Sequence, residues 1–571
     1  MFLSKNYCIT FTAYCLLFTA YSFSQENRNS GFSKPVNLPF NLAGSFGEPR
    51  KDHFHSGIDI KTNGAEGEPV FAIGDGYISR IRVSPYGYGK AIYITHTNGY
   101  TSVYGHLSKF HGAIEKYIHA QHYLQKKPEL DLILDATIFP IKQNDTIAFS
   151  GNTGGSTAPH LHFEIRNTKT EHALNPLDFY PRSFYVDTIP PQINKVKIYS
   201  IYDKNYNSFS FVYNLKKEGN YLINSDTIFF SNDSIISFSL EGFDKPDTSS
   251  SRNGIKKIEV YQNKKLLFKF DINDIDFDKT RMCNAFVDYH EMINNNGYFY
   301  NCYQLPNNKL SYYFNGDGYF TLNKGLNIFN IITHDYNNNT TNVNLTIEKD
   351  NPGTIFDSVL ADYSNITSKE IMPLKSDSII SKDFKIKLAP NTFYENVYLN
   401  IESIEQKPTT KYDVNAFSIY IPLQKPAKIE FKSSIKKNRN KIVVVRQNQK
   451  GKETALKTTY DKTKFYADTK ELGAFYLKYD TTKPIVEILD SKFEILNETK
   501  FIQTKIRDDL SGINTYSGYI DNKWINFYYD AKNDLIQYIL DENCPKGEHL
   551  LKIIVTDNVG NQTTVQQKFI Y

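Results

Sequence analysis

His160 and His162 lie two residues apart in Pro159-His160-Leu161-His162-Phe163-Glu164-Ile165-Arg166, directly after the glycine-, serine- and threonine-rich run from Gly151 to Thr157. The segment alternates like a strand, so both imidazoles share one face while Leu161 and Phe163 share the other. Two imidazoles on one face are a pair of metal ligands, or one ligand beside a proton carrier. For an isolated His-x-His, a pair of surface histidines is the plainer reading. The neighbours weigh against it. His53-Phe54-His55-Ser56-Gly57-Ile58-Asp59 adds a histidine with a carboxylate four residues on, and Tyr104-Gly105-His106-Leu107 adds another. Ten of the 13 histidines fall between His53 and His172, a clustering that solvated or core histidines have no reason to show.

The elements around these residues read as an antiparallel meander. Gly67-Glu68-Pro69 is a turn, and strands are expected over Val70–Ile73 and Tyr77–Val83, separated by Gly74-Asp75-Gly76. Ala91–His96 and Tyr100–Tyr104 form a hairpin around Asn98-Gly99, which places His106 just past a strand end. Thr146–Ser150 leads into the Gly-rich loop. Residues 111–139 interrupt the sheet. Tyr117, Ala120 and Leu124 recur at helical spacing, which predicts a helix over Ala113–Lys127. His111, His119 and His122 read as exposed histidines of this insertion, and the helix could wall a substrate groove. Gly57, Gly154 and Gly155 suit tight turns and close approach of a backbone. Glu164 reads as an exposed strand residue, with support of a metal ligand as the other possibility.

His55-x-x-x-Asp59, then His106 after a tyrosine-containing strand, then His160-x-His162 at the end of a Gly-rich loop, resemble the lysostaphin-like or LytM-like zinc metallopeptidases that cut peptide bonds in bacterial cell walls. The likeness covers about residues 38–182. It departs from the family at Ala158, where a glycine commonly precedes the proline, and in the long insertion after His106. The resemblance implies one zinc ion per chain on His55, Asp59 and His162, with His106 and His160 acting on the water, the tetrahedral intermediate and the leaving amine. It leaves His53 outside the ligand set.

A chain of 571 residues exceeds one core and divides into several domains. With 66 basic and 62 acidic residues the net charge is only +4, without a long basic run, which argues against nucleic acid as partner. Mean hydropathy is −0.47, and the abundance of tyrosine (42) and phenylalanine (40) points to sheet-rich domains. Residues 1–24 read as a signal peptide, with Lys5, an apolar run from Cys8 to Phe18 and Ser22-Phe23-Ser24 before Gln25. The chain is therefore expected to be exported to the periplasm or cell envelope, with no membrane span in the mature form. The mature chain keeps Cys283, Cys302 and Cys544, and the first two could pair in an oxidising compartment.

The fold class is mainly β: an antiparallel metallopeptidase domain over 25–186, then two or three β-sandwich modules. Residues 187–350 and 481–571 read as immunoglobulin-like, and 351–480 as β-rich without a type. A repeat links the two outer modules. Gly325-Leu326-Asn327-Ile328-Phe329-Asn330-Ile331-Ile332-Thr333-His334-Asp335 matches the segment Gly547 to Asp557, and Asn253-Gly254-Ile255 matches Ser511-Gly512-Ile513. The first reading of function is a secreted zinc endopeptidase acting on the peptide stems of peptidoglycan, with an envelope protein as a further partner through the C-terminal modules. A non-catalytic envelope protein that binds wall peptides or activates another hydrolase is the alternative. A peptidase acting on Gly-rich protein is a third.

Overall fold

The computed structural model describes residues 31–571 except 202–207, 225–227, 232–234, 248, 296, 351–367, 406–408, 417–420, 490–494 and 497–498. The signal-peptide segment therefore lies outside the described residues.

The chain is mainly β, with predominantly antiparallel sheets. The first sheet runs in the order Leu42–Gly44, Ile58–Lys61, His160–Asn167, Tyr100–Leu107, Lys90–His96, Gly76–Val83 and Leu130–Ile133. A small second sheet joins Pro69–Phe71, Thr146–Phe149 and Lys109–Phe110. Of the expected meander, Gly76–Val83, Lys90–His96 and Tyr100–Leu107 pair in sequence order, whereas the strand expected at Val70–Ile73 forms as Pro69–Phe71 and joins the second sheet instead. The strand Tyr100–Leu107 continues through His106, aided by a bulge in its pairing with Lys90–His96.

The helix spans Gly112–Gln125, and its buried face is Ile114, Ile118 and His122 rather than the face that carries Leu124, which is 77% exposed. The apolar stripe is thus offset from the one read in sequence, and His122 is buried with Nδ1 donating to the Lys127 carbonyl at 2.7 Å. The insertion also returns a strand, Leu130–Ile133, to the sheet edge.

The next group of strands, Gln192–Ile201 to Thr340–Asp350, packs directly on the first domain. Ala173–Leu174 pairs with Asp274–Ile275, and one continuous hydrophobic core runs from Val36 to Tyr394. Phe54 against Phe286, with ring centres 5.8 Å apart, is part of that seam. Residues 369–479 form a six-stranded and a five-stranded sheet around their own core. The last strands, Ile485–Leu489 to Gln562–Ile570, form two further sheets around a third core. The repeated segments are equivalent in pairing. Gly325–His334 pairs with Lys257–Gln262 and Thr340–Asp350, just as Glu548–Asp557 pairs with Ile513–Ile520 and Gln562–Ile570. Cys283, Cys302 and Cys544 are buried and unbridged, so the possible Cys283–Cys302 bond is not made.

Candidate metal centre

The strand His160–Asn167 pairs on one side with Ile58–Lys61 and on the other with Tyr100–Leu107, and the register sets His162 opposite both Asp59 and Gly105. Three motifs far apart in sequence become neighbours through backbone pairing alone. Gly57 makes the approach possible, because a Cβ there would stand 2.3 Å from the Phe163 carbonyl oxygen. Gly154, at φ 72°, is equally constrained against Gly89, whereas Gly155 has room for a side chain.

Three atoms converge. His55 Nε2 lies 3.0 Å from both Asp59 Oδ1 and His162 Nδ1, and His162 Nδ1 lies 2.8 Å from the same oxygen. The far side of each ring fixes what these atoms can offer. His55 Nδ1 donates to the Ser45 carbonyl at 2.8 Å, and His162 Nε2 donates to Glu164 Oε1 at 2.8 Å. In neutral rings the facing nitrogens therefore carry lone pairs, and they meet a carboxylate oxygen. Two nitrogens and one oxygen aimed at each other within hydrogen-bonding distance, all buried, repel unless a cation or a proton sits among them. Without a metal, burial opposes the charge on His162, but Asp59 and Glu164 outweigh it and push His162 up to about 9, so a metal takes the place of that proton. This donor set suits a divalent transition metal. Burial, reinforced by the charge of Arg50, pushes His55 down to about 4, so it is neutral at physiological pH as a ligand must be. Burial opposes the charge on Asp59, but His55 and Arg50 outweigh it and hold the carboxyl well below its usual range.

His160 and His106 stand beside this trio. His160 Nδ1 donates to the Ala158 carbonyl at 2.8 Å, while its Nε2 is buried without a hydrogen-bond partner, 3.3 Å from Asp59 Oδ1. The rings of His106 and His160 have centres 4.8 Å apart. His106 sits at φ 58°, a left-handed conformation that costs a non-glycine residue about 1–3 kcal/mol. Its amide donates to the Tyr88 carbonyl and its Nδ1 to the Thr153 carbonyl, both at 2.8 Å, which holds that conformation and leaves Nε2 unprotonated. Burial, with His162 and His160 adding to it, pushes His106 down to about 3. His53 points away, exposed and 2.9 Å from Asp52.

Glu164 corrects the sequence reading: it is fully buried. It accepts from His162 Nε2, Ser56 Oγ (2.5 Å), Tyr88 Oη (2.5 Å) and Arg166 Nε (2.7 Å). Burial works against its charge, yet Arg166, His162 and Ser56 keep it ionised below the ordinary carboxylate range. The signal was available, since Glu164 has the same strand parity as His160 and His162. Arg50 and Glu48 had no such signal. Arg50 Nη2 binds Asp59 Oδ2 at 2.7 Å and Glu48 Oε1 at 2.9 Å, steadying the oxygen that faces away from the trio. The site opens into a cavity of about 890 Å³, bounded by the Gly155–Pro159 loop on one side and by Phe243, Arg252 and Tyr298 on the other. The helical insertion does not line it, so the expected groove wall comes from the following strands instead. The helix packs elsewhere: Tyr123 against Trp524, and His119 and Tyr123 onto Asp541.

Residues 53–125 match the model of peptidase family M23, so the chain carries a domain of this family; residues 369–480 match that of a Zu5-like domain. The chain is similar to the peptidoglycan DD-endopeptidase ShyB of Vibrio cholerae, with 31% identity over 136 residues, 23% of this chain and 26% of that protein. It is likewise similar to the DD-carboxypeptidase/endopeptidase Mpg of Neisseria meningitidis, with 34% identity over 112 residues, 20% of each. Across such relatives the matched stretch spans 20% to 32% of their length. Among solved structures, the catalytic domain of lysostaphin from Staphylococcus simulans is 29% identical, with 24% of this chain and 87% of that chain covered and a TM-score of 0.18. No helix among the described residues is long and apolar enough to cross a membrane.

Proposed function

We propose that this protein is an exported zinc metalloendopeptidase that hydrolyses peptide cross-links of bacterial peptidoglycan in the periplasm or cell envelope. The observation that carries the reading is the convergence of His55 Nε2, Asp59 Oδ1 and His162 Nδ1, with His106 and His160 beside them at the floor of a cavity wide enough for a peptide. Relatives named as peptidoglycan DD-endopeptidases support the substrate class.

In this reading His55, Asp59 and His162 hold one zinc ion per chain, which when bound supplies Lewis acidity and a water acidified toward neutrality. Glu164 and the Ser45 carbonyl fix the two ligand tautomers, and Arg50 holds the second oxygen of Asp59. His106, neutral and with Nε2 free, takes a proton from the attacking water. His160 stabilises charge on the carbonyl oxygen, and the pair returns the proton to the leaving amine. The outer modules, read as immunoglobulin-like, position the enzyme on the wall or against an envelope protein.

The test is zinc content together with release of soluble muropeptides from purified sacculi, with wild type and His106→Ala. One zinc per chain, with muropeptide release that the variant abolishes, supports the enzyme. Bound zinc without release by wild type supports a non-catalytic wall-binding or hydrolase-activating protein instead, and absence of zinc overturns the ligand assignment.

A further inference from the structure

Away from the candidate peptidase site, three carboxylates meet where the first domain hands over to the next strands. Asp187 follows the last turn of the first domain, Asp244 follows the strand Ile235–Phe243, and Asp335 follows the strand Gly325–His334. A carboxylate oxygen from each lies within 4.8 Å of the other two, and all three residues are buried. That spacing matters, because oxygens bound to one calcium ion at about 2.4 Å can be no more than about 4.8 Å apart.

Asp244 makes the cluster more than a group of acids. It is fully buried, and neither of its carboxylate oxygens has a hydrogen-bond partner; Asp187 Oδ2 is buried and unpartnered as well. Among the described residues no lysine, arginine or histidine forms an ion pair with any of the three. The charges that Asp244 senses are those of Asp187 and Asp335, of its own sign. Asn253, hydrogen-bonded to Asp244 through both backbones, shares its side of the bridge and brings a buried Oδ1 without a partner. Isolated buried carboxylates are costly, and an oxygen-only set with this charge matches a hard divalent cation.

The rest of the junction is built to hold this geometry. Asp335 accepts the amides of Asn337 and Asn339, each at 2.8 Å, and the side chain of Asn339 at 2.7 Å. Asn339 Nδ2 also donates to the Asp187 carbonyl, and Thr341 Oγ1 donates to that of Pro191. The last module repeats the device. Asp480, Asp508 and Asp557 converge in the same way, Asn561 joins Asp557 to the Asp480 carbonyl, and Thr563 caps Pro484. There Asp508 Oδ1 is again unpartnered, but Asp508 is only half-buried and its Oδ2 is taken up by the amides of Leu510 and Gly512.

We propose that Asp187, Asp244 and Asp335 bind a calcium ion that locks the first domain onto the following strands, and that Asp480, Asp508 and Asp557 form a second, weaker copy. The experiment uses the full chain with its transition-metal site kept loaded, stripped of calcium with a calcium-selective chelator, and titrated with calcium chloride alone. Bound calcium is counted by equilibrium dialysis, and the thermal midpoint is followed. The expected result is calcium uptake with a rise of several degrees in the midpoint. Asp244→Asn should weaken the tighter site at least 100-fold, and Asp508→Asn should remove only the weaker. If Asp244→Asn fails to fold, Asp187→Asn carries the same expectation. Absence of uptake by the wild type at millimolar calcium overturns the proposal, as does uptake that neither first-junction variant changes. A wild type indifferent to calcium, with Asp244→Asn more stable than it, identifies a carboxyl buried in its protonated form and overturns the proposal too.

Discussion

His162 Nε2 donates to Glu164 Oε1 across 2.8 Å, and this single bond decides which nitrogen of His162 faces the candidate metal. Partners of this kind are typically worth about 10–100-fold in metal affinity. Glu164→Gln removes the charge that favours the tautomer and leaves Arg166 with a weaker partner. Competition against a chromophoric chelator should show metal affinity reduced by about 10–100-fold. Affinity equal to wild type would separate Glu164 from the metal altogether.

His106→Ala and His162→Ala should part company. The first removes a base that bonds to the Thr153 carbonyl and not to the trio. Turnover should fall by about 10²–10⁴-fold with metal content unchanged. His162→Ala removes a ligand, so both metal and activity should be lost. Elemental analysis beside the muropeptide assay distinguishes them, and a His106→Ala protein without metal contradicts the assignment.

Gly57→Ala tests the packing that brings the motifs together. The added methyl must displace the Phe163 carbonyl from 2.3 Å, which is backbone and cannot swing aside. Overpacking at such a place costs about 3 kcal/mol or more. Denaturant unfolding should show that loss, and an unchanged midpoint would mean that the two strands separate more easily than their register suggests.

Acid should loosen the helical insertion through His122. Burial, aided by the charges of Lys90 and His119, pushes this imidazole down to about 4 from its ordinary 6.5. Because the folded value is the lower one, the stabilising contribution is complete above about 6.5 and is lost as pH falls through about 4. The span corresponds to at most about 3 kcal/mol. His122→Leu should make the wild-type decline in stability between pH 6.5 and 4 shallower, the remainder coming from His55 and His106, which are depressed in the same direction. An identical decline in the variant points to other groups.

Much of the candidate site was legible because its residues are local or share parity. Asp59 stands four residues from His55, and His160 and His162 alternate with Leu161 and Phe163, so type and spacing carried the information. Glu164 obeys the same parity, but residue type alone did not distinguish a buried carboxylate from a surface one; its buried partner Arg166 did. Arg50 was invisible because it reaches Asp59 only after the loop folds back through the bond from Gly47 to the His55 carbonyl. On the helix, Leu124 misled because hydrophobicity reports burial only when tertiary packing uses that face, and here Ile114 and Ile118 are used instead. The repeat around Asp335 and Asp557 was readable. The meeting of each with partners scores of residues away was not, because strand order alone brings them together.

The last module touches the first domain at the Gly-rich loop beside the candidate site. Lys532 Nζ donates to the carbonyls of Asn152 and Ser156, on the turn that leads into His160, across 380 and 376 residues of chain. A polypeptide grows from its N-terminus, so His55 and His162 exist long before Lys532 is made. Lys532 therefore ties the Gly-rich loop, which bounds one side of the candidate site, to a module made after every proposed ligand. The contact thus acts as a brace from a distance: a chain without the last module would carry every proposed ligand but lack the tie on its Gly-rich loop.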